Sequence, residues 1–104
     1  MANQWNIPSW LENQVKERDT ACVYCGNAFL PHQQSVKASA SWEHIINDAS
    51  LISRENICLC CRSCNASKGQ KPLSAWLQSR YCKARSINAK TVAPIIKQAL
   101  ARGC

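Results

Sequence analysis

The sequence predicts a small α+β fold, and three observations support this class. Helical periodicity appears at both ends of the chain, in residues 8–18 and 91–102. Short extended segments occupy the middle, and two Cys-x-x-Cys pairs flank them. A chain of 104 residues has the usual length of one domain, so we expect a single domain over residues 1–104.

Three helices are expected outside the central region. Pro8 suits the first position of a helix that extends to about residue 18, because its missing N–H would be unpaired there anyway. Residues 65–69 read as a helical turn stopped by glycine, and Pro72 opens a further helix. The last helix covers about 91–102. The apolar faces of the two C-terminal helices are expected to pack into the core, with Leu73, Trp76, Leu77 and Tyr81 on the first of them.

The central region is expected to be extended. Ala28–Leu30 and Ser35–Ala38 are weak strand candidates, and Ser41–Ile46 is a stronger one. A polar loop is predicted at 47–53. The short apolar run Ile57–Leu59 then predicts a strand or turn that enters the second cysteine pair.

The apolar core is thin for a chain of this length. Hydrophobic residues make up 46% of the sequence, but thirteen of them are alanine and eight are cysteine. The N-terminus lacks the basic and apolar segments of a signal peptide, and no run of about 20 apolar residues predicts a membrane span. We therefore expect a reducing compartment, where clustered Cys-x-x-Cys pairs favour zinc over disulfides as the element that stabilises the fold.

A structural zinc ion takes four thiolate or imidazole ligands. The segment 22-CVYCG-26 supplies one pair, and its glycine tolerates the positive φ that such a turn needs. The second pair is ambiguous, because Cys58/Cys61 and Cys61/Cys64 have the same spacing. We choose the latter, because it precedes a helical turn as a second knuckle would, and Cys58 is then a small buried hydrophobe. The expected ligands are Cys22, Cys25, Cys61 and Cys64, which leaves Cys60, Cys82 and Cys104 as ordinary thiols.

The net charge of +7 is distributed unevenly. All six acidic residues lie at or before Glu55, whereas nine of the thirteen basic residues follow it. A uniformly positive C-terminal half is typical of proteins that bind a polyanion, of which nucleic acid is the commonest. The alternative is a solvated basic surface that only keeps the protein soluble.

Four stretches together resemble the HNH endonuclease family, also called ββα-metal or His-Me finger nucleases. They are CVYCG at 22–26, WEHI at 42–45, EN at 55–56 and CRSCNASKG at 61–69. The resemblance implies a ββα-metal core at about residues 41–69, with the N-terminal helix and C-terminal helices at about 72–102 packed around it. It also implies a metal-dependent endonuclease that nicks DNA with low sequence specificity.

The resemblance assigns roles to single residues. His44 is implied as the general base that activates water, which suits an imidazole with a reference pKa near about 6.5. Glu43 and Asn65 are implied as the oxygen ligands of a catalytic Mg²⁺ or Mn²⁺. Asn56 matches an Asn that braces the loop in this family. Phosphate contacts are expected from Lys68, Lys71 and Arg62.

The chain departs from the family pattern at two positions near His44. Glu43 stands where Asp is more usual, and Ile46-Asn47 replaces a Pro that usually follows the His. Asn65, where other members carry His, favours oxygen-preferring Mg²⁺ or Mn²⁺ over Zn²⁺ or Ni²⁺. None of these changes removes the expected general base.

The alternative function is a non-catalytic, zinc-stapled module that binds nucleic acid. It shares the cysteine pairs and the basic C-terminal half, but has no need for Glu43, His44 and Asn65 together. The expected partner is DNA, with RNA as the alternative and no membrane, and a homodimer or a partner protein is expected to supply specificity. The expected location is the cytoplasm of a bacterium, or of a cell infected by a phage.

Overall fold

The computed structural model describes residues 7–48 and 50–104, so residues 1–6 of the expected domain and Ala49 in its 47–53 loop lie outside the described part. The described elements follow the order α-β-β-α-α-α-α. None of the helices in these ranges is long and apolar enough to cross a membrane. The elements are α1 (Ser9–Arg18), β1 (Ala40–His44), β2 (Ile57–Cys61), α2 (Arg62–Lys68), α3 (Leu73–Trp76), α4 (Arg80–Ala84) and α5 (Pro94–Ala101).

The two strands form an antiparallel hairpin with different layers on its two faces. Trp42 lies opposite Leu59, and Glu43 lies opposite Cys58. Because side chains alternate along a strand, the first pair shares one face and the second pair shares the other. The apolar side of α1 packs against the Trp42 face. Helix α2 lies on the Glu43 face, where its polar side chains bond to β1.

Helix α1 forms much as its pattern predicts. Pro8 stands at the N-cap, one residue before the helix, and its carbonyl accepts the N–H groups of Leu11 and Glu12 at 3.0 Å each. Leu11 and Val15 are fully buried, as the i, i+4 stripe indicates. The packing of these two side chains against the hairpin fixes the position of α1 in the fold.

Asp19 closes the edge of β2 that does not pair with β1. Its Oδ2 accepts the backbone N–H of Leu59 at 3.0 Å. Arg18 donates two hydrogen bonds to the same carboxylate, at 2.7 and 2.9 Å, and a third to the carbonyl of Ile57 at 2.7 Å. A buried carboxylate thus takes the place of a third strand at this point.

A second apolar cluster surrounds Trp76 and contains residues from α3, α4 and α5. The ring of Tyr24 meets Trp76 edge-on, with the ring centroids 4.9 Å apart. Val23 connects this cluster to the hairpin, because its N–H donates to Leu59 at 3.3 Å and its carbonyl accepts from Ala93 at 2.9 Å. The segment that contains the first cysteine pair therefore bridges the sheet and the start of α5.

Two of the strand predictions are wrong. Residues 28–30 contain only an isolated bridge from Ala28 to Ala21, and residues 35–38 are mainly turn and bend. Neither segment finds a neighbouring strand, and a short extended segment has little stability without one. The predicted strand at 41–46 begins one residue earlier and ends at His44, because the chain bends at Ile45 and Ile46.

The C-terminal helices are shorter than predicted. The helix opened by Pro72 ends at Trp76, and a separate helix starts after Ser79, whose Oγ accepts the N–H of Cys82 at 3.3 Å. The last helix begins at Pro94 instead of Thr91. The fixed φ of proline suits the first helical position and disfavours helical geometry in the residue before it.

We expect Asp19→Ala to destabilise the protein by about 2–4 kcal/mol, because it leaves the buried N–H of Leu59 without its acceptor and Arg18 without its carboxylate. Urea unfolding measures this change. The matched control is Glu17→Ala, which removes an exposed carboxylate from the last turn of α1 and is expected to change stability by less than about 0.5 kcal/mol. Equal effects of the two substitutions would contradict the assigned role of Asp19.

Candidate metal centre and adjoining carboxylate site

The first cysteine pair lies in a tight turn. The N–H of Cys25 points to the sulfur of Cys22 at 3.5 Å, and the N–H of Gly26 donates to the carbonyl of Cys22 at 2.9 Å. Gly26 has a φ of +78°. This is the left-handed conformation that glycine adopts without strain, as the sequence indicates.

The second pair joins the hairpin to α2. Cys61 is the last residue of β2 and also the N-cap of α2, where its sulfur accepts the N–H of Cys64 at 3.4 Å. Cys61 therefore marks both the end of β2 and the start of α2. Any ion that holds Cys61 and Cys64 also fixes the direction in which α2 leaves the sheet.

The four sulfurs of the two pairs lie together. The Sγ atoms of Cys22, Cys25, Cys61 and Cys64 are all within 4.8 Å of one another. The Cys25 and Cys61 sulfurs are 3.9 Å apart, close to the edge of about 3.8 Å in a tetrahedron with metal–sulfur bonds of about 2.3 Å. The four cysteines are positioned to bind a metal ion, and the set is consistent with a structural zinc. Cys58 lies outside it, fully buried in the apolar core.

The electrostatics of the four thiols favour a cation. Hydrogen bonds from the thiols of Cys61 and Cys64 lower the pKa of Cys22, so one thiolate is readily formed. Burial, with the charge of that thiolate, raises the pKa of Cys25 to about 11. Four thiolates this close repel one another, and a bound cation removes the repulsion. The hydroxyl of Tyr81 also donates to the sulfur of Cys64 at 3.4 Å.

Glu43 is a buried carboxylate on the face of the hairpin that α2 covers, and 6% of the residue is exposed. Its Oε2 accepts the hydroxyl of Tyr24 at 3.0 Å and lies 3.3 Å from the ammonium of Lys68. Burial raises the pKa of Glu43, and the charge of Lys68 and the two hydrogen bonds oppose that rise. Both donors reach the same oxygen atom.

Lys68 is not on the surface, where a phosphate contact would require it to be. The residue is completely buried, and its ammonium also donates to the carbonyl of Ile45 at 3.0 Å. The placement corrects the expectation from the sequence. The physical reason is the buried carboxylate of Glu43. A buried charge is costly unless an opposite charge lies close to it, and Lys68 supplies that charge.

Asn65 lies one turn before Lys68 on α2 and faces the same strand. Its Nδ2 donates to the Oγ of Ser41 and to the carbonyl of Trp42, both at 3.0 Å. Because the amide nitrogen makes both bonds, Oδ1 is the atom that could accept from another group or bind a cation. Asn65 and Glu43 are therefore carried by two elements in direct contact.

Asn56 closes the loop between the strands. Its Oδ1 accepts the N–H of Ile46 at 2.7 Å, and its Nδ2 donates to the carbonyls of Ile46 at 3.2 Å and Leu51 at 3.0 Å. Its own carbonyl accepts the N–H of Ile45 at 2.9 Å. These bonds hold the chain immediately after His44.

His44 is the last residue of β1 and is 6% exposed. Strand alternation directs it to the face opposite Glu43, so the two neighbours are close along the backbone but do not share a face. Burial lowers the pKa of His44, and the negative charge of Asp48 partly opposes that change. The lowered pKa favours the neutral imidazole, which is the form that accepts a proton.

The other basic residues expected at phosphates are on the surface. Arg62 and Lys71 are both exposed. The ammonium of Lys71 donates to the carbonyl of Ser67 at 3.1 Å. These two side chains lie at the two ends of the α2 region.

Tyr24 is the residue of this site that the sequence analysis missed. It lies between the cysteines of the first pair, fully buried, and connects that turn to Glu43. Burial raises the pKa of Tyr24 well above its ordinary value, so its hydroxyl is a donor. An aromatic residue inside a cysteine turn is a weak sequence signal, and nothing near it in the sequence identifies its partner.

Comparisons with known proteins give one distant similarity. The chain is 27% identical over 81 residues to the CRISPR-associated endonuclease Cas9 of Corynebacterium diphtheriae. The aligned region is 75% of this chain but only 7% of that protein. No protein-family model matches the chain, and no solved structure matches it.

We expect Cys64→Ser to abolish stoichiometric zinc binding and to lower stability severely, because zinc contributes about 10–16 kcal/mol in small zinc domains. Metal analysis of the purified protein and thermal unfolding measure the two effects. Cys104→Ser is the matched control, since Cys104 lies outside the cluster and is half-buried. A Cys64→Ser protein with full zinc content would contradict the ligand assignment.

Proposed function

We propose that this chain is an HNH-type endonuclease that hydrolyses phosphodiester bonds in DNA with the help of a divalent metal ion. The observation that carries the proposal is the contact of α2 with β1. Asn65 and Lys68 on the helix meet the strand that ends in Glu43 and His44. Similarity to a curated endonuclease supports the same class of activity.

Glu43 and Asn65 would hold the catalytic ion. Their donor atoms, a carboxylate and the amide Oδ1, are the hard oxygen ligands that Mg²⁺ and Mn²⁺ prefer. Two protein ligands leave positions for water and for phosphate oxygens. When bound, such an ion neutralises charge that develops on the phosphate. The cysteine cluster would hold zinc as a separate structural ion.

His44 would act as the general base. A neutral imidazole takes a proton from the water that attacks phosphorus, and burial, which lowers the pKa of His44, favours this form. Because the ring is buried and alternates away from Glu43, the proposal requires it to become accessible when DNA binds. Asn56 would act by holding the loop that follows His44, through its bonds to Ile46.

DNA is the proposed partner because of the charge distribution. Nine basic residues and no acidic residue follow Glu55, and Arg62 and Lys71 are exposed close to α2. Such side chains contact phosphates without reading the sequence of bases. The proposal therefore includes weak sequence preference, with specificity supplied by a second copy or by a partner protein.

Cleavage of supercoiled plasmid with Mg²⁺ or Mn²⁺ tests the proposal. We expect the zinc-loaded wild type to produce nicked or linear DNA. His44→Ala should lower the rate by about 10²–10⁴-fold, as the loss of a general base typically does. The control is His32→Ala, which removes the other, exposed histidine and should leave cleavage unchanged. Zinc content and thermal stability are measured for all three proteins, so that loss of folding is recognised.

Two results would contradict the endonuclease. Equal cleavage by the wild type and His44→Ala would remove His44 from the reaction and indicate another base or a contaminant. No cleavage by any of the three proteins, with zinc retained and DNA bound, would instead favour the non-catalytic binding module. The second function shares the cysteine cluster and the basic surface with the first.

A further inference from the structure

Lys68 is the one lysine that the structure reports as fully buried among the described residues. Its ammonium lies between two acceptors, Glu43 Oε2 at 3.3 Å and the carbonyl of Ile45 at 3.0 Å. Burial of a lysine is costly unless its charge is paired and hydrogen-bonded. Both conditions are met here, so the cation belongs to the folded structure and is not a mobile surface group.

The position of this ammonium matters because Glu43 is also the carboxylate proposed to hold the divalent ion. Lys68 and Tyr24 both approach Oε2. A divalent cation bound to Glu43 would lie close to the ammonium of Lys68. Two positive charges that lie close together repel strongly where little water screens them. In the protein without metal or DNA, the charge of Glu43 is already paired with the ammonium of Lys68.

We propose that Lys68 is a resident cation that keeps divalent metal from binding tightly at Glu43 until a DNA phosphate is also present. The inference rests on the proposed function, from which it takes Glu43 as the metal ligand. The phosphate adds negative charge and oxygen ligands, which offset the repulsion between the ammonium and the metal. Metal binding and DNA binding then strengthen each other by the same factor, as linkage requires.

Lys68 acts in this scheme as a positioning residue, through Glu43. It fixes the carboxylate from the helix side, and Tyr24 fixes it from the cysteine turn. The amide nitrogen of Asn65, one turn earlier on α2, donates to β1 on the same face, so its Oδ1 is the other oxygen atom there that could bind a cation. The arrangement contains the carboxylate of Glu43, the ammonium of Lys68 and a neutral amide oxygen, which is little net negative charge with which to attract a divalent ion.

Mn²⁺ binding to zinc-loaded protein without DNA tests the inference, with the free Mn²⁺ signal followed by electron paramagnetic resonance at pH 8. The wild type should bind Mn²⁺ weakly. Lys68→Met keeps a similar side-chain length without the charge, and should bind Mn²⁺ at least about tenfold more tightly. Lys16→Met, which removes an exposed lysine from α1, should behave as the wild type does.

Thermal unfolding separates charge competition from a purely structural role. Lys68→Met should be less stable than the wild type without metal, and Mg²⁺ should raise its melting temperature by about 4 °C or more. Glu43→Gln/Lys68→Met removes both charges and should show no Mg²⁺ effect. A merely structural lysine predicts a loss of stability that Mg²⁺ does not restore.

The inference is overturned if Lys68→Met binds Mn²⁺ no more tightly than the wild type, or if Mg²⁺ stabilises the double variant equally. Should Lys68→Met not fold, the wild type alone still decides: a rise of about 4 °C or more in its melting temperature with Mg²⁺ and no DNA overturns the inference. Suppose that Lys68→Met binds Mn²⁺ more tightly but the wild type does not cleave plasmid. This result would refute the proposed endonuclease and leave the competition between Lys68 and the metal supported.

Discussion

The fold depends on the approach of four sulfur atoms from two distant parts of the chain. They lie within 4.8 Å of one another and join the turn at 22–26 to the end of β2. Apart from this junction, the described chain has a two-stranded sheet, short helices and two apolar clusters, and the larger cluster itself contains Cys22, Cys61 and Cys64. An isolated hairpin of this size has marginal stability. The cysteine cluster is therefore the constraint that allows so little secondary structure to hold a defined shape.

The same junction fixes the carboxylate site from both sides. Cys61 caps α2, which carries Asn65 and Lys68 onto the hairpin. Tyr24 extends from the first cysteine turn to Glu43. The cysteine cluster is thus connected through two short paths to a carboxylate that is not part of it. The cysteine cluster and the carboxylate site differ in chemistry, but the same backbone segments carry both.

Local signals in the sequence predicted part of this arrangement. The Cys-x-x-Cys spacings identified the residues that form the cluster, and the stripe of Leu11 and Val15 identified α1. Each of these patterns involves residues only three or four positions apart in the sequence. The strand at 28–30 was wrong because a strand exists only with a partner, which a local pattern does not supply. The burial of Lys68 could not be predicted, since Glu43 lies in another element and lysine is usually exposed.

In the proposed endonuclease, the net charge of the whole chain and the Glu43–Lys68 pair both oppose the binding of a divalent cation. A protein of charge +7 repels divalent cations over its surface, and Lys68 repels them at the site itself. In the proposed endonuclease, DNA would reverse the first effect, because its phosphates attract both the protein and the metal, and it would offset the second by supplying oxygen ligands. The metal affinity of such an endonuclease would be a property of its complex with DNA more than of the free chain. The active site of the proposed endonuclease would assemble on its substrate, and Lys68 would pair with the charge of Glu43 until then.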